Sequence, residues 1–137
     1  MAGSGLARKL KLKEGARAAV IGAPAGYLAE LKPLPEGVSL ATRLEGTFDW
    51  VQLFVSTKAE LEKLIRGAAA ALKPESLLWI SFPKGSSGTQ TDLSRDQGWE
   101  ALQGVELKWV TLVSVNPTWS AFSFRPYRPG EPRQKAR

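Results

Sequence analysis

The sequence contains no cysteine and no histidine in its 137 residues. Disulfides, thiolate and imidazole metal ligands, thiol nucleophiles and every Ser-His or Cys-His pairing are thereby excluded. No stretch approaches the ~20 uncharged apolar residues of a membrane-spanning helix, and the first 15 residues carry charge too early for a signal peptide. The expectation is a cytoplasmic protein. Nor is there the high charge and low hydrophobicity of a disordered chain: 43% of residues are apolar and 23% charged, close to globular averages. At this length one domain with a single core is expected.

Positive charge is in excess, with a net +6, but it is unevenly placed. Residues 1–17 carry Arg8, Lys9, Lys11, Lys13 and Arg17 against Glu14 (+4), and residues 126–137 carry Arg128, Arg133, Lys135 and Arg137 against Glu131 (+3). Residues 18–125 therefore sum to −1, and the body is nearly neutral. The expected division is a basic segment at 1–14, a folded domain at 15–125 and an extended, largely disordered, proline-rich basic tail at 126–137. The tail reads foremost as a solubilising device, with a non-specific nucleic-acid contact through the basic ends as the alternative. Leu6, Ala7 and Leu10 share one face of a short N-terminal helix expected to pack on the body.

Along the body, unbroken apolar runs at 18–21 and 77–82, and the run WVQLFV at 50–55, read as strands buried on both faces of a parallel sheet. A weaker strand is expected at 38–42. Short helical turns follow Pro24. Thr57 with Glu60 forms a capping box ahead of Leu61, Leu64, Ile65, Ala68 and Leu72, which predicts a helix over 58–72 ended by Lys73-Pro74. A further helix is expected from Thr91 or Asp92 to Gln103, and an antiparallel hairpin over 105–124, turning at Asn116-Pro117-Thr118. This alternation specifies an α/β fold: a three-layer, Rossmann-like, mostly parallel sheet with a C-terminal antiparallel hairpin. In such sheets ligands bind beyond the carboxyl ends of the strands, where strand order reverses.

Three loops fall there, Gly22 to Tyr27, Ser56 to Thr57 and Pro83 to Asp92, and two of them carry candidate chemistry. The first, VIGAPAG at 20–26, brings Gly22 and Gly26 to a strand-to-helix turn suited to an anionic group, with Pro24 in the place where a dinucleotide fingerprint has its middle glycine. The second, PKGSSGTQTDLSRD at 83–96, brings Lys84, Ser86, Ser87, Thr91, Asp92 and Arg95, whose amides, hydroxyls and charges can surround an anion. Asp92 and Asp96 lie one helical turn apart, but acidic residues near a helix start are favoured by the dipole, so no metal site is assigned. Trp99 and Trp119 are the candidate ligand platforms; Trp50 and Trp79 belong to the core. Glu45 and Asp49 stand where an acidic residue would hold ribose hydroxyls. The sequence itself names no catalytic residue and no cofactor. It points to a small anionic ligand or a protein partner held by the carboxyl-edge loops, and to no membrane.

The order VIGAPAG, FDWV at 48–51, ALKPESLLWI at 71–80 and the terminal hairpin resembles a shortened class I methyltransferase core over residues 15–125. More closely, PKGSSG, Thr91-Asp92-Leu93 and Thr118-Trp119-Ser120 resemble a small bacterial family of unknown function with a methyltransferase-like Rossmann fold. The resemblance implies S-adenosylmethionine as a cofactor and methyl transfer as an alternative to simple binding, with Glu45 as the acidic candidate. The segment between Lys32 and Asp49 has room for about one strand at ~3.3 Å per residue, where full-length enzymes of that class have two strands and two helices. Asn116-Pro117-Thr118-Trp119 is similar to the Asn-Pro-Pro-Trp loop of enzymes that methylate base amino groups, but it falls in the final hairpin, where Asn-Pro is a turn former.

Overall fold

In the computed structural model, residues 3–88, 91–94 and 97–134 are described. Six strands, β1 (Arg17–Ile21), β2 (Ser39–Ala41), β3 (Phe48–Phe54), β4 (Leu72–Pro83), β5 (Leu107–Ser114) and β6 (Trp119–Pro126), form one sheet in the order β2-β1-β3-β4-β6-β5. The first four neighbours run parallel, and β6 runs antiparallel to both β4 and β5. This is the expected mostly parallel sheet with its terminal hairpin, β6 being the strand inserted against β4.

The unbroken apolar strands are explained by two cores. Alternating residues Val51, Leu53 and Val55 of β3 and its exit, and Leu78, Ile80 and Phe82 of β4, face helix α3 (Lys58–Ala70), which contributes Leu61, Ile65 and Ala68. The intervening Trp50, Phe54 and Trp79 face α1 (Gly5–Lys9) and α2 (Tyr27–Leu31) with Ala7, Leu10, Tyr27 and Leu31. A strand buried on both sides has no polar face to alternate. Thr57 and Glu60 form the capping box that starts α3, and Leu64 on this helix is half-buried rather than fully enclosed.

The short N-terminal helix packs on the body as expected, with Ala7 and Leu10 buried, and the Leu10 carbonyl accepts from both the Trp50 and Trp79 indole N–H groups, at 2.8 and 2.7 Å. Three local expectations are revised. The helix expected to reach residue 72 ends at Ala70, and β4, expected from Leu77, begins at Leu72 and absorbs Pro74 in an irregular register between Phe48 and Trp50 of β3. No helix starts at Asp92, and only a 3-10 turn, Glu100–Gly104, forms in this region among the described residues. Gly98 has φ +99°, and a Cβ there would lie 2.8 Å from the Asp92 carbonyl oxygen, so the chain folds back where a helix would have to continue. Finally, residues 127–134 of the tail are docked rather than loose, because Glu131 gathers Arg125, Lys108 and the Arg128 N–H around one carboxylate.

Candidate functional site

Strand order reverses between β1 and β3, since the chain runs outward from β1 to β2 and returns on the other side of β1. At the carboxyl end of this point lies the turn 22–26. Gly22 has φ +76°, and a Cβ on it would sit 3.0 Å from the Phe54 carbonyl oxygen. The ends of β1 and β3 thus approach closely enough to require glycine. Gly26, with φ +84°, precedes α2, and the Tyr27 N–H donates to the Pro24 carbonyl at 3.1 Å. Gly22, Pro24 and Gly26, with Val20, Ala23, Ala25, Leu28, Ala29 and Thr42, line a depression of about 480 Å³. Thr42 is its one polar side chain.

The floor beneath the turn is fixed by a buried polar chain. The Tyr27 hydroxyl donates to Gln52 Oε1 at 2.7 Å, and Gln52 Nε2 donates to Ser81 Oγ at 2.9 Å. Burial pushes the Tyr27 hydroxyl above the ordinary tyrosine range, outweighing the Gln52 contact. The Tyr27 ring meets Phe54 edge-on at 4.5 Å, and Phe54 meets Trp119 at 5.0 Å. Trp119, a candidate platform in the sequence, is half-buried as the end of this aromatic series.

The second loop goes elsewhere. The Lys84 ammonium donates to Ser114 Oγ at 2.6 Å, and the Lys84 N–H donates to the Thr118 carbonyl, so this lysine ties β4 to the hairpin. Ser86 is exposed on a 3-10 turn, Gly85–Ser87, and Ser87 Oγ donates to the Lys84 carbonyl. Thr91 Oγ1 accepts from the Leu93 N–H at 3.0 Å. The Asp92 carboxylate accepts from the Lys58 N–H at 2.7 Å, capping α3 rather than a helix of its own. Thr91 and Asp92 line a separate depression of about 460 Å³ with Lys58, Ser94 and Trp99. Arg95 and Asp96 lie outside the described residues. The two loops share the carboxyl edge but line different cavities.

Sequence reasoning missed two residues of this edge. Thr42 appeared as the end of a weak strand. Asn116 appeared as a turn former remote from any site, but β6 pairs Trp119 with Pro83, which carries the hairpin turn to the carboxyl edge. There Asn116 Oδ1 accepts from the Thr118 and Trp119 N–H groups, and its Nδ2 donates to Glu30 on α2. Every polar atom of that amide is thus spent on structure. Among the described residues no group of three acidic side chains could hold a metal ion, and no helix is long and apolar enough to cross a membrane.

The two acidic candidates for a ribose sit at the opposite edge. Asp49 accepts from the Arg17 N–H and from Lys73 Nζ, at 2.8 and 2.9 Å. These contacts, the Arg17 amide first, hold its carboxyl below the usual range. Glu45 pairs with Arg43, and its carbonyl accepts from the Arg17 guanidinium. Arg17 opens β1, so both acids are anchored beside the amino end of the sheet.

This architecture is that of the class I, Rossmann-like methyltransferases. The chain is similar to a SAM-dependent methyltransferase from Aquifex aeolicus, with 15% identity, a TM-score of 0.65, and coverage of 88% of this chain and 87% of that one. It is also similar to a TehB-like SAM-dependent methyltransferase from Corynebacterium glutamicum, with 15% identity, TM-score 0.60 and coverage of 90% and 88%. For the N-methyltransferase NodS from Bradyrhizobium japonicum the figures are 14%, 0.59, 90% and 94%. No family model and no curated protein sequence matches the chain. At such identities the likeness establishes the fold and leaves function to the site. The residues lining the Gly22–Gly26 depression do not fit S-adenosylmethionine. That group brings ribose hydroxyls and an ammonium, which call for an acidic partner, and the depression offers one threonine hydroxyl and no acidic side chain.

Proposed function

We propose that this chain is a small-ligand-binding protein on a methyltransferase-like scaffold, and that it does not itself transfer a methyl group. The observation carrying this reading is the depression at the strand-order reversal, lined by Gly22, Pro24, Gly26, Leu28, Ala29 and Thr42, while Glu45 and Asp49 are engaged at the other edge. Sites of this fold lie at that point because the carboxyl ends of the strands splay there. The ligand the depression suits has an apolar body against Pro24, Leu28 and Ala29 and a hydrogen-bonding head at Thr42 and the turn amides. An anionic head would be met by the turn amides, because no lysine or arginine lines the depression. A thermal-shift screen over nucleosides, nucleotides, phosphosugars and S-adenosylmethionine tests it. A ligand at 100-fold its Kd stabilises by about 2.7 kcal/mol, and Ala29→Trp, which fills the depression from an exposed position, should abolish that shift. Flat curves throughout, or a shift indifferent to Ala29→Trp, would remove this site.

The second reading, S-adenosylmethionine-dependent methyl transfer, is favoured by the fold likeness to three such enzymes. It requires micromolar binding of the cofactor despite the missing carboxylate. A nucleic-acid role would use the exposed charges Arg8, Lys9, Lys11 and Lys13 of the N-terminal segment and Arg128 of the tail, whereas Arg125 and Arg133 are paired with Glu131 and Glu106. Loss of affinity on replacing those exposed residues, with a reduced salt slope, is its test.

A further inference from the structure

β5 is the outermost strand on its side of the sheet. Natural outer strands are protected by charge, proline or a cover, because their open backbone groups otherwise accept another strand. Residues 109–114 read WVTLVS and contain neither charge nor proline. Val110 and Leu112, 48% and 37% exposed, are the exposed large hydrophobic side chains among the described residues, and both lie on this strand.

One end of the strand is covered in an unusual way. The Trp109 N–H donates to Gln134 Oε1 at 2.9 Å, and the Trp109 carbonyl accepts from Gln134 Nε2 at 3.2 Å. A side-chain carboxamide thus supplies the donor and acceptor that the peptide groups of an added strand would supply. Gln134 is delivered there by an anchored segment. Glu131 accepts from both terminal guanidinium nitrogens of Arg125, at 2.9 and 2.7 Å, and from Lys108 Nζ at 2.9 Å. Arg133 lies 4.3 Å over the Tyr127 ring and pairs with Glu106, and the Gln134 N–H donates to the Tyr127 hydroxyl. The segment roofs a cavity of about 390 Å³ against Trp99 and Trp109.

We propose that residues 127–134 are a strap guarding the β5 edge, and that releasing the strap lets β5 pair with β5 of a second copy of this chain. A second copy suits the edge for two reasons. The stretch 109–114 is uncharged, so two copies meet without like-charge repulsion, whereas a charged partner strand finds no counter-charge there. Each copy also brings Val110, Leu112 and the same vacated Trp109 pair, as a two-fold contact between identical surfaces requires.

Sedimentation velocity over a concentration series tests this on the full chain. The native protein should sediment as a monomer. Gln134→Ala, alone and combined with Glu131→Gln, should dimerise at least tenfold more tightly, and adding Leu112→Lys to the double variant should restore the monomer. Gln134 is exposed, so its single variant reports on the strap without challenging the core. Far-ultraviolet circular dichroism identifies any variant that has lost its fold. Folded variants that stay monomeric, a native chain that dimerises as tightly as they do, or dimers indifferent to Leu112→Lys would each overturn the proposal.

Discussion

The chain Tyr27–Gln52–Ser81 allows a sharp test, because all three side chains are buried and Gln52 is the only link between the two hydroxyls. Tyr27 is 1% exposed and Gln52 and Ser81 are 0%. Tyr27→Phe leaves Gln52 Oε1 without its donor, and an orphaned buried acceptor costs ~1–3 kcal/mol. Gln52→Leu conserves the volume but strands two hydroxyls, so its cost should be about twice as large. Removing all three polar ends with Tyr27→Phe, Gln52→Leu and Ser81→Ala leaves nothing unsatisfied, and the triple variant should return to within ~1 kcal/mol of the native chain. Urea denaturation followed by indole fluorescence measures this, with each kcal/mol also moving Tm by roughly 3–6 °C in a chain of this size. The same chain fixes α2 under the turn 22–26, so ligand-induced stabilisation should weaken in the Gln52→Leu variant. A triple variant as unstable as Gln52→Leu, or a Tyr27→Phe cost below ~0.5 kcal/mol, would refute the claim that satisfaction of these groups, and not packing, decides their worth.

Asp92→Ala should destabilise the chain by ~0.5–2 kcal/mol through loss of the cap on the Lys58 N–H, measured by thermal melting; a silent substitution would mean that the Thr57–Glu60 capping box suffices for that helix end. On α3, Ile65→Ala should cost ~2–5 kcal/mol by burial and cavity, and the half-buried Leu64→Ala clearly less; the reverse order in denaturant titration would rotate the helix. Asp49 is a carboxyl whose folded pKa is depressed, so its contribution is present above the ordinary carboxylate range and is lost as pH falls through the lowered folded value. The native chain should therefore lose stability toward strong acid more steeply than Asp49→Asn, and parallel acid profiles would contradict the Arg17 and Lys73 contacts.

What was legible in the sequence follows from range. The strands at 18–21, 50–55 and 77–82 announce themselves because burial on both faces leaves no polar position, and Thr57 with Glu60 marks a helix start within four residues. Asp92 resembled an equally good start, but its carboxylate serves α3, 34 positions away in sequence, and Gly98 takes a backbone conformation that no pattern of neighbours displays. Lys84 has the chemistry of an anion ligand; only the pairing of β4 with β6 brings it to Ser114. The same pairing carries Asn116 to the carboxyl edge. The acidic candidates illustrate the converse: Glu45 and Asp49 stand at the expected sequence distance from the glycine turn, but the return from β2 to β3 deposits them beside Arg17. Glu131 was one acid in a basic tail; Arg125 and the Arg128 N–H lie within six residues of it, but Lys108 reaches it only because β5 and β6 are side by side.

On the proposed function, the depression carried by this methyltransferase-like scaffold is not an S-adenosylmethionine site. Isothermal titration calorimetry of the full chain with S-adenosylmethionine, and with its demethylated product, addresses it most directly. No heat is expected, or binding no tighter than millimolar, unchanged by Ala29→Trp. A micromolar Kd for either compound, abolished by Ala29→Trp, would contradict it and establish the cofactor site.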